Sequence, residues 1–238
     1  AAFDPEAFMT AKEMIRHWGY PVEQLEVITA DGYILSMYRI SHGRFSDNNT
    51  SCHRPAVLFS HGLSGDSTEF YMNPPESSPA FILADAGFDV FLINHRGGHY
   101  SKRHISLKPW DNQYWQWSVD ELSRYDAPAA IDKVLEVTGH NGTYWVGHSM
   151  GTSIAYMGLS TNPQYNSKIK GAFLMAPSGS AGYGQGPAKL LFWAYKTFEP
   201  LVHLYRNVLG AHETAFNLGM IYRPLINLCL VIPYADGV

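Results

Sequence analysis

The chain has 238 residues, 46% of them hydrophobic and 14% aromatic, which allows one α/β domain with a sizeable core and excludes general disorder. Its 17 basic and 21 acidic residues give a net charge of −4. Since no dense basic run occurs, neither nucleic acid nor an anionic membrane surface is predicted as a partner. The apolar stretch from Leu228 to Pro233 is far shorter than the roughly 20 residues of a membrane span, and no transmembrane segment is predicted.

Apolar runs that alternate with turn residues predict the strands and crossover helices of an α/β fold. Asp31-Gly32 separates two strand-like segments, and Asp-Gly favours the positive φ angles of a hairpin turn. The later short apolar runs are typical of parallel strands buried on both faces. The predicted strands cover residues 25–30, 33–40, 56–60, 88–93 and 169–176, with a further strand starting at residue 143 and a crossover helix at 79–86.

A long helix is predicted between Ser118 and Thr138. Ser118 and Glu121 have the S-x-x-E spacing of a capping box, in which each side chain binds the backbone N–H of the other residue. Pro128 predicts a bend, because proline lacks the N–H that a helix interior uses. Gly139 is typical of the residue that ends a helix.

The segment Gly147-His148-Ser149-Met150-Gly151 has the G-x-S-x-G pattern of a nucleophile elbow, a sharp turn from a strand into a helix. A strand-like run precedes it and a run of small residues follows, which is the context that the motif requires. Ser149 is therefore the predicted catalytic nucleophile, and Gly147 and Gly151 are predicted to leave room for the turn. The Met150 amide is predicted to donate to the oxyanion that forms during ester cleavage.

His61-Gly62-Leu63 directly follows the predicted strand 56–60, where hydrolases with this motif place a second oxyanion donor. The Leu63 amide is the predicted partner of the Met150 amide. The alternative is an ordinary strand-to-loop glycine turn, and the oxyanion interpretation is favoured because it completes the elbow.

The remaining histidine and glycine patterns predict no cofactor and no metal site. His148 is next to the serine, but neighbouring residues at a strand end point to opposite faces, so it is predicted to be a packing residue and not the base. His95, His99 and His104 have an irregular spacing that matches no helical metal pair. The glycines between residues 179 and 186 lack the order of a phosphate-binding loop and predict a flexible hinge.

Three N-x-S/T sequons, at Asn48, Asn49 and Asn141, are candidate glycosylation sites in polar, loop-like segments. They give mild support for a secreted or lysosomal glycoprotein. The chain opens at Ala1 without an initiator methionine or an apolar signal region, which predicts a mature or trimmed N-terminus.

Segments spread through the chain together resemble the acid lipase family, which includes gastric and lysosomal acid lipases. They are Asp4-Pro5-Glu6, Trp18-Gly19-Tyr20-Pro21, residues 31–35, His61-Gly62-Leu63, residues 81–90, Arg96-Gly97, and Tyr125-Asp126 followed by Pro128-Ala129. The resemblance implies an α/β-hydrolase fold, a mostly parallel sheet flanked by helices, with the core in residues 1–177 and the beginning of a helical cap in residues 178–238. It also implies hydrolysis of neutral-lipid esters at a lipid–water interface, with the oxyanion hole at Leu63 and Met150.

Two features depart from that family. Glutamine usually follows the nucleophile, where this chain has Met150, but a backbone donor should survive that change. The family's catalytic aspartate and histidine lie beyond the cap, and no residue here matches them. The candidates for these roles after Ser149 are few: two histidines, His203 and His212, and three acidic residues. The chain is therefore expected to be C-terminally incomplete and, by itself, inactive.

The predicted function is a lipase that hydrolyses triacylglycerol or cholesteryl ester through a serine nucleophile. Two alternatives stay open. One is a catalytically inactive lipid-binding relative, and the other is a carboxylesterase of different specificity, because G-x-S-x-G also serves other hydrolases.

Overall fold

The computed structural model describes residues 5–45 and 53–179, together with Trp193 and Thr197. The glycosylation predictions at Asn48 and Asn49 and nearly all of the predicted cap lie outside these residues. The chain divides into two units, Ala1–Lys108 with Gln116–Tyr183, and Pro109–Trp115 with Gly184–Val238. The division predicted at residue 177 remains a prediction.

The second unit is described at two places. A 3-10 turn covers Asn112–Trp115, and the Trp115 indole donates a hydrogen bond to the Pro109 carbonyl over 2.7 Å. The Thr197 hydroxyl donates to the Trp193 carbonyl over 2.8 Å.

The first unit contains the sheet and the candidate site. Its described strands are β1 (Glu23–Ile28), β2 (Tyr33–Ile40), β3 (Ala56–Ser60), β4 (Asp89–Ile93), β5 (Arg103–His104), β6 (Thr143–His148) and β7 (Ile169–Met175). Its described α-helices are α1 (Ala11–His17), α2 (Pro79–Asp85), α3 (Val119–Glu121), α4 (Ala127–Thr138), α5 (Met150–Thr161) and α6 (Pro163–Lys168). Short 3-10 turns cover Pro5–Phe8 and Ser67–Phe70, and a π-helical segment covers Leu122–Asp126.

The strands form one sheet in the order β1-β2-β4-β3-β6-β7, with β5 paired to β2 off this path. Strands β1, β2 and β4 pair antiparallel, whereas β4, β3, β6 and β7 pair parallel. The hairpin predicted around Asp31-Gly32 is confirmed, with Ile28 opposite Ile34. A mostly parallel sheet with helices in its crossovers confirms the predicted α/β-hydrolase fold class.

Burial follows the position of each strand in the sheet. Every residue of β3 and β4 is buried, as expected for central parallel strands covered on both faces. The strand predicted at residues 169–176 is present as β7, but the prediction that it is buried is wrong: among the described strands β7 is last in the sheet order, and Phe173 is 60% exposed. An edge strand pairs on one side only.

The long predicted helix is present with one interruption. The capping box of Ser118 and Glu121 is formed, and Gly139 ends α4 with a left-handed φ of 69°. The irregularity lies just before Pro128, in the π-helical segment 122–126, and the Ala127 amide closes it by donating to Leu122. The backbone stays helical through Asp126 and Ala127, so Pro128 lies within a continuous helix, and its missing N–H leaves one helix hydrogen bond unmade next to the π-helical segment.

Candidate active site

Ser149 occupies a strained turn between β6 and α5. Its φ is 49° and its ψ is −110°, a combination that a residue with a Cβ rarely adopts. Such a conformation costs on the order of 1–3 kcal/mol and persists only where the surroundings enforce it. The backbone therefore has the shape that the G-x-S-x-G pattern predicted for an elbow.

Both glycines of the motif are in steric contact with backbone. A Cβ built on Gly147 would lie 2.6 Å from the Gly151 carbonyl oxygen, and one built on Gly151 would lie 2.2 Å from the Ser60 carbonyl oxygen. No real Cβ tolerates such distances, so the turn requires glycine at both positions.

Hydrogen bonds around the Ser149 peptide hold this conformation. The Ser149 carbonyl accepts from the Thr152 amide at 2.9 Å, the Thr152 hydroxyl at 2.6 Å and the Ser178 hydroxyl at 2.9 Å. The Ser149 amide donates to the Met175 carbonyl at 3.0 Å. These hydrogen bonds connect the elbow to α5 and to the end of β7, and they stabilise the strained backbone conformation of Ser149.

The loop after β3 lies beside the elbow. Ser60 is paired with Gly147 in the parallel register. The loop after β3 and the turn after β6 therefore both leave the sheet at the carboxyl ends of their strands. A Cβ built on Gly62 would lie 3.3 Å from the Ser149 Cβ. Among the described residues, neither the Leu63 nor the Met150 amide finds a hydrogen-bond acceptor, which suits both as donors to a ligand oxygen.

His61 sets the direction of the Leu63 amide. In a trans peptide the N–H points away from the C=O, so the Gly62 carbonyl fixes the Leu63 N–H. That carbonyl accepts from the His61 Nδ1 at 2.9 Å and the Gly65 amide at 3.3 Å. The His95 amide donates to His61 Nε2 at 3.1 Å, so the proton of a neutral ring is on Nδ1. Burial and the nearby His95 lower the pKa of His61 to about 3.

The structure corrects the interpretation of His148 as a packing residue. Its side chain is 42% exposed, and its Nδ1 lies 3.3 Å from Glu69 Oε1. Burial raises the pKa of the Glu69 carboxyl, against the opposing effects of the Gly62 amide and His148. Among the described residues, no histidine or acidic side chain forms a hydrogen bond with the Ser149 hydroxyl. His203 and His212 lie outside those residues.

A second serine–histidine–aspartate arrangement lies beneath this site. The Ser60 hydroxyl is 2.8 Å from His95 Nε2, and His95 Nδ1 is 3.5 Å from the Asp126 carboxylate. All three side chains are buried, with Ser60 and Asp126 at 0% exposure. A nucleophile must reach its substrate, so this cluster is a structural network and not a catalytic triad.

An ion-pair network continues from that cluster to the hairpin. The Arg96 Nε donates to Asp126 at 2.7 Å, and its two terminal nitrogens bind the Asp31 carboxylate at 2.6 and 2.8 Å. Burial would raise the pKa of Asp31, but hydrogen bonds from Arg96 and Thr29 hold it below its ordinary value. The network joins the β1–β2 turn to the end of the π-helical segment, and it was not predicted from the sequence.

Two further predicted features fall partly within the described residues. Asn141 is exposed in the loop before β6, and the hydroxyl of its sequon partner Thr143 donates to the Ala56 carbonyl at 3.0 Å. Among residues 5–45 and 53–179, no group of three or more His, Cys, Asp or Glu side chains is placed to hold a metal ion.

Comparison with known proteins agrees with this geometry. A family model described as the alpha/beta hydrolase fold matches residues 55–219, and one described as a partial alpha/beta-hydrolase lipase region matches residues 11–74. The chain belongs to the α/β-hydrolase family. Its resemblance to the acid lipases is confirmed by curated relatives that are named lipases.

Two of these relatives give the extent of the similarity. Lipase member K from Homo sapiens is 46% identical over 188 residues, which are 79% of this chain and 47% of the relative. Gastric triacylglycerol lipase from Rattus norvegicus is 43% identical over 186 residues, which are 78% of this chain and 47% of the relative. The chain thus spans about half the length of the curated relatives it matches.

A solved structure supports the fold alone. The carboxylesterase CesB from Bacillus subtilis matches with a TM-score of 0.50 and 15% identity, covering 77% of this chain and 52% of that chain. At this identity the match indicates the α/β-hydrolase fold and says nothing about substrate.

Proposed function

We propose that the protein to which this chain belongs is a lipase that hydrolyses carboxylic esters of neutral lipids, with Ser149 as the nucleophile. The observation that carries the proposal is the Ser149 backbone, held at a φ of 49° and a ψ of −110° between β6 and α5. A fold maintains a strained residue where function needs it, and this conformation presents a serine hydroxyl at the end of a sheet.

The proposed reaction is acyl transfer through an acyl-enzyme. The Ser149 oxygen attacks the ester carbonyl carbon, a general base takes the hydroxyl proton, and the carbonyl oxygen becomes an oxyanion. The Leu63 and Met150 amides donate to that oxyanion. When the intermediate collapses, the ester C–O bond breaks, and the leaving oxygen takes the proton that the base removed from Ser149, which releases the alcohol. Water then hydrolyses the acyl-enzyme to the free acid. The base and its orienting carboxylate are proposed to lie outside the described residues.

Neutral-lipid esters are the proposed substrates, presented at a lipid–water interface. Support comes from the printed names of the relatives, one of which is a triacylglycerol lipase. It also comes from exposed apolar side chains in the segment that follows β3. Leu63, in the loop directly after β3 (the oxyanion loop, residues 61–66), is 75% exposed, and Met72, farther along the chain, is 58% exposed. Exposed apolar side chains suit contact with a lipid surface.

We further propose that the protein is a secreted or lysosomal glycoprotein. Asn141 is exposed just before β6, whereas Ser149 directly follows β6. A glycan on Asn141 would therefore lie at the opposite end of this strand from the nucleophile. Within the described residues, no helix is both long enough and apolar enough to cross a membrane.

The test is ester hydrolysis by the complete gene product and by its Ser149→Ala variant. Substrates are a long-chain triacylglycerol, a cholesteryl ester and a short soluble ester. We expect Ser149-dependent turnover of the long-chain lipids, because removing a triad nucleophile costs several orders of magnitude in rate. Turnover of the short ester alone would support a carboxylesterase. Lipid binding without Ser149-dependent turnover would support the inactive relative.

A further inference from the structure

Glu69 contacts both halves of the candidate site, although the proposed reaction assigns it no part. It lies in the 3-10 turn Ser67–Phe70, directly after the loop that contains Leu63. Its Oε1 accepts from the Gly62 amide at 3.0 Å and lies 3.3 Å from the Nδ1 of His148. Gly62 precedes the proposed oxyanion donor, and His148 precedes the proposed nucleophile, so one carboxylate oxygen connects the two segments.

The backbone that carries Glu69 is firmly anchored. The Ser67 amide donates to the Asn94 side chain at 2.9 Å, which ties the turn to the end of β4. Asp66 caps the turn by accepting from the Thr68 amide at 2.8 Å, and the Phe70 side chain is 2% exposed. A side chain on such a turn can hold another loop in place, because its own position costs little further entropy.

The Gly62 backbone is fixed on both of its sides. Its amide is held by Glu69, and its carbonyl is held by His61 and the Gly65 amide. The space around Gly62 is narrow, since a Cβ built there would lie 3.1 Å from the His148 Nδ1. A small shift of the loop would therefore change the distance between the Leu63 amide and the Ser149 oxygen.

We propose that Glu69 is a positioning residue that holds the oxyanion loop in register with the nucleophile, by accepting the Gly62 N–H and pairing with His148. It acts through the backbone of Gly62 and does not touch the reacting atoms. The inference rests on the proposed function for its catalytic consequence, whereas the position of the loop can be tested without turnover.

The test compares Glu69→Leu, Glu69→Asp and Glu69→Gln in the complete gene product, with Glu76→Leu as the matched control at an exposed glutamate. Leucine removes the acceptor. Aspartate keeps the charge but withdraws the acceptor by one methylene, and glutamine keeps an acceptor oxygen at the same reach without the charge. One readout is hydrogen–deuterium exchange at Gly62. The other is the rate at which a long-chain alkyl p-nitrophenyl phosphonate modifies Ser149.

We expect Glu69→Leu and Glu69→Asp to exchange faster at Gly62 and to react about tenfold more slowly, a fraction of the roughly 10²–10³ lost with an entire oxyanion donor. The effect should fall on the maximal rate and not on the half-saturating phosphonate concentration. Glu69→Gln and Glu76→Leu should stay within about twofold of the parent protein in both readouts, because both keep the Gly62 acceptor.

Unchanged Gly62 exchange in Glu69→Asp, or equal losses in Glu69→Gln and Glu69→Asp, would overturn the positioning role. If Glu69→Leu does not fold, the aspartate and glutamine variants decide the matter by themselves. Absence of Ser149 phosphonylation in the parent protein would instead overturn the proposed function, and Gly62 exchange would still decide whether Glu69 holds the loop.

Discussion

Gly151 packs its Cα directly against the Ser60 carbonyl, so that a Cβ built on it would lie 2.2 Å from that oxygen. The first turn of α5 is therefore in backbone contact with the end of β3. This contact fixes where α5 begins, and it thereby fixes the position of Ser149 at the carboxyl end of β6.

Gly151→Ala should lower the free energy of unfolding by about 2 kcal/mol or more, because overpacking usually costs about 1–3 kcal/mol and here the obstacle is backbone. Gly158→Ala in the same helix is the control. Its Cβ would lie 3.3 Å from the Ser123 hydroxyl oxygen, so a change within about 1 kcal/mol is expected. Urea unfolding of the complete gene product measures both, and equal effects would contradict the steric role of Gly151.

Ser149→Gly should be more stable than Ser149→Ala by about 1 kcal/mol, because only glycine relieves a positive φ. Both variants should lack ester turnover. The same pair of substitutions at Ser153, inside α5, should give the opposite order, since alanine is favoured over glycine by about 1 kcal/mol in a helix. Unfolding midpoints give the ranking, and a less stable glycine variant at residue 149 would show that the turn is not strained.

Thr152→Val should destabilise the elbow. The Thr152 hydroxyl donates to the Ser149 carbonyl and accepts from the Ser178 amide at 2.9 Å. Valine has a similar shape but leaves that amide without its acceptor, at a cost of about 1–3 kcal/mol. Thr161→Val is the control at the exposed end of α5, where the change should stay within about 0.5 kcal/mol. Equal unfolding free energies for the two variants would argue against a stabilising role for the hydrogen bonds between Thr152, Ser149 and Ser178.

His61→Asn should reduce the loss of stability in acid. His61 has its pKa lowered from 6.5 to about 3 in the folded protein, so between these values the unfolded chain binds a proton that the folded chain does not. Stability therefore rises with pH across this window and falls on acidification, by up to about 1.4 kcal/mol per pH unit for one proton. Asparagine supplies an N–H donor near the position of Nδ1 and does not titrate.

The measurement for this change is the unfolding free energy from about pH 4 to about pH 5.5, well inside the window in which the proton is taken up. The slope should be smaller in His61→Asn than in the parent protein. His17→Asn, at an exposed position on α1, is the matched control. Identical slopes for the two variants would show that His61 is not the group responsible.

Local features of this protein were predictable because their causes lie close together in the chain. The Asp31-Gly32 hairpin, the Ser118 capping box and the helix end at Gly139 each depend on residues within a few positions of one another. The elbow belongs to this group, since its glycines are needed around a single strand-to-helix turn.

Other features depend on partners far away in the sequence and were missed or misjudged. Glu69 meets His148 across 79 positions, and Arg96 joins Asp31 and Asp126, yet each residue looks like an ordinary surface charge when its neighbours are unknown. The burial of β7, the last of the described strands in the sheet order, was misjudged for the same reason, because an apolar strand can have the same composition in the middle of a sheet and at its edge.

By itself the sequence determined the α/β class, the strand-to-helix turn at Ser149 and the need for glycine at residues 147 and 151, because backbone sterics and short-range hydrogen bonding act between neighbours in the chain. The tertiary structure alone decided that β3 lies between β4 and β6. That order brings Gly62 beside Ser149 and places Glu69 between the oxyanion loop and the elbow. Strand order and register arise from burial and pairing summed over the whole sheet, and no local pattern specifies them.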